Sequence, residues 1–319
     1  MIALALGLII TGAVFALLLS SRQNLRATEN LARLHDDARI SFELLAREIR
    51  EAGATLCGTP NISNVLNNAN TVWWSNTGNW NDEAIRGYSG TAVGPIEFGS
   101  GGAKRVNGTD AIALKRASDR AVTIISHNPV SAQFKVNSTQ HGIQDGDILM
   151  ACDEQSGAVF QVTNASSTNA TIIHNTGTGT PGNCSKDLGY PTQCSGNRKE
   201  RTFAPGGLLA TYQASFWYIG NSPMAGRRSL YRADNTRGPI EMARNVSDLQ
   251  AEYLLSNRAI PPTLADSYVR ADQVSRWADV VAVRVTLTHQ TDENISTENQ
   301  TITRTSSYLI SLRNREFLP

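Results

Sequence analysis

Residues 1–53, MIALALGLIITGAVFALLLSSRQNLRATENLARLHDDARISFELLAREIREAG, decide the architecture. Met1 to Ser21 carry no charged side chain. About 20 apolar residues, rising about 1.5 Å each, span a hydrocarbon core of about 30 Å. A cleaved secretory signal needs a basic n-region, a shorter apolar run and a small-x-small site before the pattern breaks. There is no n-region, and the helical pattern continues, so this segment reads as a spanning helix. Leu31, Leu34, Ala38, Phe42, Leu45, Ile49 and Ala52 then recur at three- and four-residue steps and form one apolar stripe. Arg26, Glu29, Arg33, Asp37, Glu43, Arg47 and Glu51 take the other face. No proline precedes Pro60, and Gly53 suits the C′ position that stops a helix. The prediction is one helix of about 52 residues, roughly 78 Å long. Its transmembrane half covers 1–21 and its amphipathic half 22–53.

The rest of the chain limits what this helix can serve. Across 319 residues, 29 Lys and Arg balance 28 Asp and Glu, for a formal net charge of +1. That balance excludes a strongly basic nucleic-acid binder and an acidic disordered tail, and no specific nucleic acid is expected as a partner. Arg227, Arg228, Arg232 and Arg237 are a weak counter-signal, better read as a solvated face. Charged residues make up only 18%. Asn, Thr, Ser and Gly fill the gap and favour turns, edge strands and long loops.

Four cysteines, Cys57, Cys152, Cys184 and Cys194, lack zinc-ligand spacing. In a membrane-tethered, turn-rich chain they read as two disulfides in an oxidising compartment. Three connectivities are open. The stretch CSKDLGYPTQC favours a local Cys184–Cys194 bridge, which leaves Cys57 to pair with Cys152.

Residues 54–100 lack periodicity and hold Trp73, Trp74 and Trp80, candidates either for a glycan- or partner-binding surface or for packing beneath a long loop. From 109 onward, short alternating runs (TDAIALKRAS, AVTIISH, AQFKVN, DILMACD, AVFQVTN, ATIIHN) predict antiparallel strands. A Gly/Thr/Pro-rich loop follows over 176–205. The region 54–205 therefore reads as an irregular and β-rich insertion, and 206–319 as a C-terminal antiparallel sheet. In that sheet Val281, Val283, Val285 and Leu287 share one face, as do Tyr308, Ile310 and Leu312. An antiparallel sheet with one apolar face needs a cover. The stripe Leu34, Ala38, Phe42, Leu45 and Ile49 is the expected cover, against Val283, Val285 and Ile310. The fold class is α+β.

No catalytic constellation is visible. The five histidines are scattered, and HExxH, GxSxG and GxxxxGK[ST] motifs are absent. The acidic cluster Asp145, Asp147, Asp153 and Glu154 could coordinate calcium, but its spacing does not match an EF-hand loop, and a hairpin turn is the favoured reading. The chain is expected to be neither an enzyme nor the holder of a metal or cofactor.

The helix block resembles the N-terminal helix of type IV minor pilins of the PilW family. The likeness continues through GDILMACD and AVFQVT (146–163), FWYIG (216–220), LYRAD (230–234), VSDLQAEY (246–253), WADVVAVRVTL (277–287) and LISLRNR (309–315). The resemblance implies a pilin-like fold and a part in initiating pilus assembly at the pilus tip, with twitching motility and adhesion as consequences. It implies as partners other minor pilins, the major pilin, a PilY-type tip adhesin and the inner-membrane assembly platform. It also implies an inner-membrane location with a periplasmic C-terminal domain before incorporation into the fimbrium. Leu4, Gly7, Leu8, Thr11, Gly12, Phe15 and Leu18 would then pack in the pilus core, the small residues permitting close helix approach. The family's basic leader, methylated N-terminus and early glutamate fall on no residue of this chain, so Met1 reads as an internal position. A minor pseudopilin of a type II secretion system, similar to GspJ, is the alternative, and a membrane-anchored adhesin or binding module is another.

Overall fold

The computed structural model describes residues 2–59, 61–67, 72–76, 80–177, 179–196, 199–224, 226–257, 262–294 and 300–315, without the side chains of Ala3, Leu4, Ala5 and Asn81. Helix α1 runs Ile2–Glu51, 50 residues without a break. Gly53 ends it in the left-handed conformation, φ 77°, where a Cβ would be strained. The Gly53 N–H then donates to Lys115 O at 2.9 Å, handing the chain to the sheet.

Eleven strands form one large sheet. They are β1 (Ile62–Asn64), β2 (Ile85–Tyr88), β3 (Ala111–Asn128), β4 (Gln133–Val136), β5 (Ile148–Cys152), β6 (Gly157–Gln161), β7 (Asn164–Ser166), β8 (Thr171–Ile173), β9 (Leu208–Asn221), β10 (Arg228–Asp234) and β11 (Ile240–Arg244). Four more, β12 (Val246–Leu255), β13 (Val269–Arg270), β14 (Val280–Gln290) and β15 (Thr303–Ser311), form a second sheet in the order β13-β12-β14-β15. The chain is thus α+β.

Two expectations shift. The runs TDAIALKRAS and AVTIISH are one strand, β3, whose register against β9 slips between Ala117 and Ala121. The expected C-terminal sheet over 206–319 is also divided. Strands β9 to β11 pair within the large sheet, and the separate sheet begins at Val246. The physical reason lies in β9, where Ser215–Gly220 are buried without alternation. A strand covered on both faces belongs at a sheet's centre, and β9 pairs with β3, β5 and β10. Alternating β12 and β14 suit a sheet covered on one face. Asn245, φ 58°, turns the corner between the two sheets.

The docked half of α1 fills the seam between the sheets instead of lying on one of them. Leu45, Ala46, Ile49 and Ala52 pack with Val283, Val285, Leu287 and Ile310 on one side and with Ile112, Leu114, Trp217 and Leu230 on the other. Leu34 and Ala38 extend the buried stripe. Phe42 is half-buried where full burial was expected. Its ring stacks on Tyr308, centroids 3.7 Å apart, on the edge strand β15, where the sheet ends and solvent begins. Val281 is likewise half-buried and Val280 takes the inward position, because the β12–β14 register slips between Leu254 and Leu255.

Burying each large apolar side chain in the seam contributes about 1.5–3 kcal/mol, and truncation adds a cavity term. Ile49→Ala is therefore expected to destabilise the domain by about 2–5 kcal/mol, and Arg39→Ala, whose side chain is exposed, by less than about 0.5 kcal/mol. Urea unfolding of the full chain in detergent checks this. Equal midpoints for the two variants would mean that the helix docks by another face.

Candidate functional site

The protruding half of α1 is a long, continuous run of exposed apolar side chains. The described side chains over residues 2–26 are all exposed, a length of about 38 Å at 1.5 Å per residue. Leu8 is 73% and Leu18 56% exposed, and Phe15 is comparably bare. An 18-residue stretch of the helix has a mean hydropathy of 1.5 with none of it buried. A helix apolar on every side is stable only in lipid or among like helices. The one hydroxyl facing outward in its middle is internally satisfied, Thr11 Oγ1 donating to Gly7 O at 2.8 Å. An added Cβ at Gly7 or Gly12 meets nothing within 4 Å, so both positions leave the helix surface open to a close neighbour. The side chain of Leu4 lies outside the described residues.

What holds this spine in place is partly polar. Glu48 sits on the shoulder of the apolar stripe, and its Oε2 accepts from Ser215 Oγ at 2.5 Å and Trp217 Nε1 at 2.6 Å. Its Oε1 accepts from Arg232 Nε at 2.8 Å, and Arg232 also reaches Asp234 at 2.9 Å. The carboxylate thereby ties α1 to β9 and β10 of the large sheet. Seven residues earlier, Ser41 Oγ meets His289 Nε2 at 2.8 Å, tying α1 to β14. Burial pushes the His289 imidazole down to about 4. Sequence reasoning missed Glu48. The available signal was an acid at a helical step beside Leu45 and Ile49, off the outward charged face.

The remaining sequence candidates take these places. Cys57 is bonded to Cys152 and Cys184 to Cys194. The first bridge joins the segment after α1 to β5. Trp80, a candidate for surface binding, is a core residue at 2% exposure. Its ring packs edge-on to Tyr212 and its Nε1 donates to Gly53 O at 3.0 Å. The irregular segment folds under itself there, as a loop with apolar rings must. Trp73 and Trp74 are half-buried, Trp73 near Phe216, and the Trp74 carbonyl accepts from Tyr212. The acidic cluster caps separate turns: Asp145 accepts from Ala165 N, Asp147 from Gln144 N, and Asp153 from Gln155 N, Ser156 N and Arg201. The arginines 227–237 do not converge on one patch, because Arg232 turns inward to Glu48. Elsewhere Lys115 is buried beside Glu83 at 3.2 Å, and burial pushes its amine down to about 8.

Residues 216–312 match the family described as type IV pilus-assembly protein W, PilW. The matched stretch runs from the second half of β9 to just past β15 and includes Trp217 and Arg232, two of the groups that hold Glu48. It relates this part of the chain to type IV pilus assembly. No curated protein and no solved structure matches the chain.

Two measurements test the dock. Glu48→Gln removes a charge that three donors share, and a hydrogen bond to a charged group contributes about 1.5–3 kcal/mol. We expect a loss of at least that size in chemical denaturation, against less than about 0.5 kcal/mol for Glu43→Gln on the exposed face. Stability is also expected to fall with acid. The folded His289 titrates below the ordinary 6.5, so the unfolded chain binds its proton first as pH drops. The stability it contributes is complete above about pH 6.5 and is lost between there and about 4. His127, pushed by burial to about 4, and His174, to about 3, act in the same direction. Urea melts from pH 7 to 4 should show this slope, reduced but not abolished in His289→Asn.

Proposed function

We propose that this chain is a minor pilin that helps initiate type IV pilus assembly and forms part of the pilus tip, and that its fold is pilin-like. The observation that carries the reading is the exposed apolar spine of residues 2–26, continuous with a helix half wedged into a domain whose C-terminal part matches the pilus-assembly family. The spine spans the inner membrane with residues 22–319 in the periplasm. It then moves into a bundle of like helices. Lipid and bundle are similarly apolar, so the transfer is close to neutral and packing at small residues such as Gly7 and Gly12 decides it. Neighbours in this reading are other minor pilins, the major pilin, a PilY-type adhesin and the assembly platform. The role is structural, and twitching motility and adhesion depend on it through the filament.

Deleting the gene is expected to lower surface piliation and twitching while the major subunit still accumulates in the membrane. Electron microscopy and immunoblotting check this. Normal pili with a selective protein-secretion defect would transfer the assignment to a type II secretion pseudopilin.

A further inference from the structure

We propose that the buried His127–His174 pair is an acid-operated latch on residues 200–205, and that its protonation frees Phe203 and opens the cleft at the end of β5. The proposal stands independently of the pilus reading. His127 lies near the end of β3, His174 directly after β8, and Phe203 in the irregular segment before β9. The two histidines are 7% and 0% exposed, and Phe203 is fully buried. Their Nε2 atoms are 3.1 Å apart, and the Phe203 N–H donates to His127 Nδ1 at 3.2 Å. The Phe134 ring stacks on His127, centroids 4.0 Å apart, and Phe160 and Phe203 close the sides.

These bonds leave the pair one arrangement of protons. A backbone N–H can only donate, so His127 Nδ1 is bare and its Nε2 carries the proton. That proton points at His174 Nε2, which is therefore bare as well. His174 holds its own proton on Nδ1, a buried atom without a hydrogen-bond partner among the described residues. Both bare nitrogens already accept. One more proton turns an acceptor into a donor facing a donor, and one of the two bonds is lost. An imidazolium–imidazole bond is charge-assisted and the stronger of the two, and it joins residues fixed to strands. The bond to Phe203 is the one that breaks. His174 takes the proton on Nε2 and donates to His127 Nε2, and the His127 proton moves to Nδ1, against the Phe203 N–H.

The segment carrying Phe203 is pinned at its ends and lightly between them. Lys199 O accepts from Gly189 N, and Gly206 N donates to Ile124 O, each at 2.9 Å. Between these points Arg201 donates to Asp153 at 2.5 Å and to Gln155 at 2.7 Å, and Ala204 N donates to Asp153 at 3.2 Å. The cleft alongside is bounded by Leu56, Glu154, Thr202 and Pro205. The charged groups on the elements around the pair are Arg201, tied to Asp153, half-buried Lys186 and Asp187, and exposed Lys135, Glu154, Lys199 and Glu200. Burial is the largest cause holding both imidazoles below their ordinary 6.5. Arg201 pushes His127 the same way, and His127 and Lys186 push His174. The latch is therefore shut at pH 7 and opens as the pair takes its first proton, near about pH 4.

The test follows amide hydrogen exchange of the full chain in detergent from pH 7 to 4.5, corrected for the intrinsic pH dependence of exchange. We expect the peptide over 200–205 to lose at least about tenfold in protection, while 214–220 in β9 changes by less than about twofold. His127→Asn keeps an acceptor for the Phe203 N–H on an atom that does not titrate, and should abolish the loss. His174→Gln leaves His127 titratable, and should retain it. Equal loss in both peptides, the mark of global acid unfolding, overturns the latch. So does an unchanged response in His127→Asn, or its disappearance in His174→Gln. Should His127→Asn not fold, histidine 15N shifts of the wild-type chain at pH 7 decide. A proton on His127 Nδ1 overturns the proposal, and protons on His127 Nε2 and His174 Nδ1 support it.

Discussion

Everything else in the fold depends on one helix being wedged between two sheets. Each sheet turns an apolar face toward the seam, and neither face covers the other completely. The stripe through Leu45, Ile49 and Ala52 supplies the missing surface to both at once. A purely apolar wedge would fix depth but leave rotation and sliding weakly specified. Glu48 and Ser41 remove that freedom, because each places a polar group opposite a partner on a different sheet. A half-buried carboxylate is costly unless its lone pairs are used, and here Ser215, Trp217 and Arg232 use them.

The long segment between α1 and β3 is organised by the same economy of partners. The Arg105 guanidinium is buried and donates to the carbonyls of Tyr88, Ser89, Ala92 and Thr109. A stretch with few apolar residues gathers around a cation that satisfies its main-chain oxygens. Near the second disulfide, the Asn183 side chain accepts from Gln161 N and donates to Gln161 O, while Gln161 Oε1 accepts from Gly182 N, and together they hold the loop that carries the Cys184–Cys194 bridge. Irregular chain is thus ordered by polar side chains where strands would use a ladder.

The helix was legible from end to end, because an uncharged run, a three-four stripe and Gly53 are local signals. So were most strands, where alternation is clean. The membership of β9 was not. Its residues read as one more strand of the C-terminal series, and only the pairing partners far back in the chain, Ala111–Thr123 of β3, place it in the other sheet. The polar dock was hidden for the same reason. Glu48 becomes special through Trp217 and Arg232, which no spacing rule connects to it. Trp80 was open to a surface reading because an aromatic ring in an aperiodic segment gives no direction. Arg105 gave no signal at all, because nothing in the glycine-rich stretch sets it apart from the adjacent Lys104, which stays on the surface.

The way α1 joins the domain also sets how force would travel through the molecule. Tension on the free end runs down one unbroken hydrogen-bonded rod and enters the domain along the seam. There it acts in shear, so the stripe, the Glu48 donors and the Ser41–His289 contact are loaded together and do not peel in turn. At the far end the path is shorter still. Gly53 bonds to Lys115 of β3, and six residues beyond Glu51 the chain is covalently fixed to β5 through Cys57 and Cys152. A pull on the spine therefore reaches the large sheet through a short chain segment and a sulfur bridge, and the domain resists it as a single body.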